Sequence, residues 1–195
     1  MPGYRFFNLQ RSGFYADMSA IFVKKEHVMS QQQTTNVNRK PMSNAKKLAI
    51  SGIVIAAYIV VMYLTQSFAF GQYQMRIATS IYALAAIYPF LIIPLGIANF
   101  LSNTLMGGLG PIDMIGGFFV GVLTASGCYW LRKINIMLTA LPILVIPTLL
   151  VPIWLSYILN VPYGILVISV GVGQILPSIV GVMLVKYLEK PLSKI

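Results

Sequence analysis

Residues 77–106 read IATSIYALAAIYPFLIIPLGIANFLSNTLM, thirty positions without a single charge. A helix needs about 20 apolar residues to cross a bilayer. This run is therefore long for one crossing and short for two of ordinary length. Pro89 and Pro94 punctuate it, and each marks either a tight turn or a kink. A turn divides the run into short spans near 77–88 and 93–106, whereas a kink leaves one bent span. That choice sets the total at six or five, and so decides whether the two ends of the chain share a side.

Working outward, the other long apolar runs fall near 48–65, 112–131, 137–159 and 163–187. Charge then decides the count. Arg39, Lys40, Lys46 and Lys47 precede the first span, Arg132 and Lys133 join the fourth to the fifth, and Lys186, Lys190 and Lys194 follow the last. Six spans put all three clusters on one side, as the excess of cytoplasmic Lys and Arg in membrane proteins requires, and five would split them. The chain is 57% hydrophobic and only 9% charged, with a mean hydropathy of +0.79; a soluble domain of this size does not reach those values. The expected fold is an all-α integral membrane protein, a compact bundle of six transmembrane helices with both termini cytoplasmic. Residues 1–45 are polar, include the run Gln31–Lys40, and read as a disordered tail ahead of a membrane domain over 46–195.

Several functions are disfavoured by what the sequence offers. The net charge of +10 gathers in the tail and short loops, which points to topology and anionic lipid headgroups rather than to nucleic acid. Cys128 is the sole cysteine and lies in an apolar segment, and His27, the sole histidine, lies in the tail. Neither has a partner at metal-ligand spacing, so no metal and no cofactor is expected. The membrane domain offers one carboxylate within its spans, Asp113, and no histidine; intramembrane hydrolysis and phosphotransfer need more than that, and no catalytic residue is assigned. No filter loop or ring-forming charged helix supports a channel. Solute capture or transport remains, beside a membrane scaffold role.

Arg76 and Asp113 are the charges left alone on the outer side, at the starts of the second and fourth spans. An interfacial ion pair and a solute pocket both fit that placement. Thr79 and Ser80 follow Arg76 at helical spacing and extend a polar strip. Asn99 and Asn103 lie one turn apart on the third span, and such amides serve either as glue between helices or as ligand contacts. Asn103, nearer the outer end, is the better ligand candidate. Gly107, Gly108 and Gly110 permit a chain reversal before Asp113, and no nucleotide-binding loop is present. Tyr73, Tyr82 and Trp154 are aromatics suited to stacking on a planar solute, or to an interfacial belt. Gln174 and Ser178 pair on the sixth span and read as glue. Small residues recur at packing distance in Gly117, Gly121 and Ala125, expected to pack within the chain. Gly52 and Ala56 on the first span are open either to the chain itself or to a partner protein.

The segments Lys47–Ala57, Phe70–Ile77 (FGQYQMRI), Ser102-Asn103 and Gly110-Pro-Ile-Asp113 with Gly117 together resemble the QueT family, transporters of queuosine precursors that look like the substrate-binding S components of energy-coupling factor (ECF) transporters. The similarity runs from about residue 46 to 189. It implies a multi-pass protein of a prokaryotic plasma membrane that captures a solute outside and delivers it through a transmembrane coupling protein and two cytoplasmic ATPases. Gly52 and Ala56 match the small-residue face with which such components dock on the coupling protein. The implied solute is a deazaguanine, with Arg76, Asp113, Asn103, Thr79 and Tyr73 as substrate-binding candidates. One departure stands out: the family pattern Arg-Ile-Ser-Glu-Ala-Leu appears here as Arg76-Ile-Ala-Thr-Ser-Ile81, with Thr79 in place of the glutamate. That change opens the alternative of a different, vitamin-like heterocycle.

Overall fold

The computed structural model describes residues 42–69, 74–106 and 108–192, and all described secondary structure is helical. Most of the expected tail lies outside these residues, as does Tyr73; Asn44 and Ala45 already belong to the first helix. The α-helices are α1 (Asn44–Leu64), a single turn α2 (Gln66–Ala69), α3 (Ile92–Leu105), α4 (Pro111–Arg132), α5 (Ala140–Leu159) and α6 (Tyr163–Leu192). 3-10 helices cover Ile77–Ala86, Pro89–Leu91 and Ile136–Thr139. Four helical segments, Asn44–Leu64, Pro111–Arg132, Ile136–Leu159 and Tyr163–Leu188, are long and apolar enough to cross a membrane. Two shorter apolar segments, Ile77–Ala86 and Pro89–Leu105, occupy the uncharged run 77–106.

The prolines divide that run by a turn. Tyr88 is extended (φ −124°, ψ 91°), the conformation favoured before a proline. Pro89 opens the next 3-10 turn, and Pro94 falls in the first turn of α3, where a missing N–H breaks no helical bond.

The 3-10 helix Ile77–Ala86 is the centre of the helical bundle. Helices of this kind seldom exceed 3–4 residues, yet here ten are so wound, eight of them buried. Alanine-rich sequence would form an α-helix as readily, so the tighter winding is imposed by the surroundings. Ten residues reach ~20 Å as a 3-10 helix against ~15 Å as an α-helix. Small side chains at Ala78, Ser80, Ala83, Ala85 and Ala86 let neighbours close in: a methyl on Gly181 of α6 would sit 3.3 Å from Ser80 O and 3.4 Å from Ala83 Cβ. Around this pillar, α1, α3, α4, α5 and α6 pack in chain order, each on the next, with α1, α4 and α6 also packing directly on the pillar. At the far end Arg132 Nη1 donates to Ala86 O at 2.9 Å, a cation closing the terminal carbonyl of a helix.

Within α4 the glycines set the spacing. A methyl on Gly121 would come 3.0 Å from Gly96 Cα, so α3 and α4 meet backbone to backbone, the intramolecular packing expected of this face. Cys128 is buried with Sγ 3.6 Å from Thr139 O. The outward surface is apolar: Ile53, Ile115, Ile153 and Ile168 are each more than half exposed. Polar side chains lie inside. This inversion of the water-soluble pattern is what hydrocarbon solvent demands.

Candidate functional site

Five elements converge on one polar cleft near the start of the pillar. Arg76 caps the 3-10 helix and Thr79 lies in its first turn; Asn99 comes from α3, Asp113 and Gly117 from α4, Trp154 from α5 and Gln174 from α6. Val120, Pro147, Val151 and Val170 supply apolar walls, and Gln74 sits at the approach. Gln74 is left-handed, with φ 43°, a conformation that costs a non-glycine residue about 1 kcal/mol or more.

Asp113 owes its place to the chain reversal before it. Gly110 adopts φ 103° and ψ −175°, a region open in practice only to glycine, and Pro111 starts α4 with its ring where no N–H is required. Gly108 N donates to Asn103 O at 2.7 Å, so closely that a methyl on Gly108 would itself fall 2.7 Å from that oxygen. Asp113 then stands in the first turn of α4, where a carboxylate is favoured by the helix dipole. Its Oδ2 accepts from Leu109 N at 3.4 Å and its Oδ1 from Trp154 Nε1 at 2.9 Å. Trp154 reaches it because Gly116 leaves room: a methyl there would press within 2.9 Å of the indole.

The asparagines divide their work. Asn99 accepts from Arg76 Nη1 at 3.4 Å and donates to Gly117 O at 2.8 Å, so both ends of its amide are engaged. Asn103 is fully buried behind Asp113, donates to Asp113 O at 3.1 Å, and leaves Oδ1 without a partner. Among the described residues, Asn99 rather than Asn103 borders the cleft. Gly117 makes room for both amides, since a methyl there would fall 2.7 Å from Asn103 Nδ2. Thr79 Oγ1 lies 2.7 Å from Arg76 O and 2.9 Å from Gln174 Oε1. Deeper in, the Tyr58 and Tyr82 hydroxyls meet at 3.0 Å.

Of the residues singled out from sequence, Arg76, Thr79 and Asp113 come together, Asn103 supports them from behind, and Tyr73 lies outside the described residues. Trp154 and Gln174 join them; from sequence alone Trp154 suits stacking on a planar solute or an interfacial belt, and Gln174 reads as glue. Gly52 and Ala56 are exposed on α1, and a methyl on Gly52 would meet nothing within 4 Å. The cleft is tight, with about 10 Å³ open to the centre of a water molecule, room for about one water. Its chemistry is that of recognition: a guanidinium donor, a carboxylate acceptor, amides and an indole around an apolar floor.

No curated protein and no solved structure matches the chain. A family model does, and its extent is the membrane domain rather than the tail: matched to the QueT transporter model over residues 48–190, the chain belongs to the QueT transporter family.

Proposed function

We propose that this transporter acts as the solute-capturing S component of an ECF-type system, with six membrane-crossing segments and both termini cytoplasmic in a prokaryotic plasma membrane. The observation that carries this reading is the cleft: Arg76, Asp113, Thr79 and Gln174 are each at most 9% exposed and line one opening inside a bundle whose outward surface is apolar. Polar groups held in a membrane interior are costly and mark solute pathways. The cleft lies toward the end where α4 begins, and Arg132, Lys133 and Lys186 lie toward the other. That placement supports reading the cleft as an outward-facing binding site above a cytoplasmic positive edge.

The solute is a small, neutral, planar heterocycle, with a deazaguanine precursor of queuosine the leading candidate. Asp113 accepts from its amino-pyrimidinone edge, Arg76 donates to its carbonyl, and Asn103 holds Asp113 in register. A base does not fit beside a single water, so the walls part on binding. α5 is the least stiff of them, because Pro147 and Pro152 each remove a backbone bond from its ladder. Gly52 and Ala56 form the face that docks on the coupling protein, and the ATP-driven step belongs to the two partner ATPases. Thr79, where the family pattern has glutamate, favours a second reading in which the same cleft takes a different vitamin-like heterocycle.

Thermal unfolding of the purified protein in detergent, scanned against deazaguanines, guanine and a panel of vitamins, tests this, because a ligand that binds only the folded state raises its Tm. A rise with a deazaguanine that disappears in Asp113→Ala supports the proposal. A rise only with another solute keeps the transporter and replaces the substrate. No rise with any of them sinks the capture role.

A further inference from the structure

Thr79 has one hydroxyl proton and two oxygens within bonding distance, Arg76 O at 2.7 Å and Gln174 Oε1 at 2.9 Å. One proton makes one good hydrogen bond. Two oxygens held below 3 Å with no proton between them repel, and both side chains are at most 3% exposed, so water does not screen that repulsion. One of the two neighbours must therefore donate. The backbone carbonyl of Arg76 cannot. A primary amide can, because turning it by half a revolution exchanges oxygen for nitrogen without altering its shape.

We propose that the Gln174 amide is turned so that its nitrogen donates to Thr79 Oγ1 and its carbonyl oxygen faces the cleft, which makes Gln174 a solute-binding acceptor and Thr79 the residue that positions it. Thr79 then gives its own proton to Arg76 O, and every contact is attractive. The remaining end of the Gln174 amide has no partner among the described residues, although the side chain is 1% exposed and borders the cleft. Asn99, by contrast, has spent both ends of its amide. Gln174 is thus a half-used amide on the wall of the cleft.

The consequence is a specific demand on the ligand, and it rests on reading the cleft as the solute site. Asp113 and Gln174 both accept while Arg76 donates, so the solute must present N–H groups on two sides and an acceptor on the third. A lactam or amino N–H satisfies Gln174; methylation of that nitrogen, or a carbonyl in its place, sets two acceptors against each other. The position of Thr79 acquires a meaning: its hydroxyl acts on the solute through Gln174.

The first test needs no ligand. Hydrogen exchange of the ¹⁵N-labelled Gln174 side-chain amide is followed by NMR in the full chain in detergent, with its signal identified by loss in Gln174→Glu. The proposal expects one amide proton to exchange slowly in the wild type and in Thr79→Ser, and at least tenfold faster in Thr79→Val. Two protons exchanging at the solvent rate in the wild type overturn it, with no variant needed. The second test titrates 7-deazaguanine and its ring N-methyl derivatives by thermal shift. The parent is expected to bind about tenfold more weakly to Thr79→Val than to the wild type, to bind Thr79→Ser normally, and to lose at least tenfold on methylation of the nitrogen that faces Gln174. Equal affinity of Thr79→Val and wild type overturns the positioning role. Absence of any shift in the wild type removes the solute assignment instead, and the exchange arm still decides the direction of the amide.

Discussion

Replacing Gly117 by alanine adds one methyl group where α3 and α4 are closest to the cleft. The new carbon would stand 2.7 Å from Asn103 Nδ2 and 3.1 Å from Asn99 Oδ1. Relaxed contacts lie near 3.5 Å, so the side chains must retreat by roughly 0.8 Å and 0.4 Å. Neither can do so freely, because Asn99 donates to Gly117 O at 2.8 Å and Asn103 to Asp113 O at 3.1 Å. Overpacking costs about 1–3 kcal/mol and each buried bond about 0.5–1.5 kcal/mol, offset by about 1 kcal/mol from the better helix propensity of alanine. The net loss is about 3 kcal/mol, roughly a hundredfold in the unfolding equilibrium. Gly52→Ala is the matched control: its methyl meets nothing within 4 Å, so only the propensity gain of up to about 1 kcal/mol remains. Denaturant unfolding in detergent, followed by tryptophan fluorescence, measures both. A Gly117→Ala protein as stable as the wild type would mean that Asn99 and Asn103 are not held against α4 as described.

Two further outcomes follow from the loop and indole that hold Asp113. Trp154→Phe keeps an aromatic ring but loses the half of the indole that carries the 2.9 Å donor to Asp113 Oδ1, so stability should fall by at least about 1.5–3 kcal/mol, the usual range for a bond to a charged group; an unchanged unfolding midpoint would deny that bond. Gly110→Ala faces open space but forces a side chain onto φ 103°, at a cost of about 1–3 kcal/mol; calorimetry showing no loss of Tm would refute the strained geometry.

Much of this architecture is legible from local pattern. Apolar runs locate the helices, and the four-residue spacing of Gly117 and Gly121 marks the face that meets α3. Pro89 announces an interruption, and only the extended Tyr88 reveals it as a turn. The winding of Ile77–Ala86 is not legible, because its alanines favour any helix and the neighbours choose which. The site divides in the same way. Arg76 and Asp113 stand out as isolated charges, but the partner of Thr79 lies 95 residues away and that of Asp113 lies 41 residues away. Spacing along one helix ranks Asn103 above Asn99 because it is nearer the outer end, whereas the borders of a cleft are set by where the other helices stand.

The burial of the pillar also bears on how the chain enters a bilayer. At ~20 Å a ten-residue 3-10 helix falls short of the ~30 Å hydrocarbon layer, so Ile77–Ala86 gains little from lipid on its own. It packs chiefly on α4 and α6, the latter ending more than a hundred residues downstream. Until those helices are synthesised, this segment and Pro89–Leu105 have only α1 and each other for company. The centre of the bundle is laid down second and completed last, and a chain cut before α6 leaves its innermost helix without one wall.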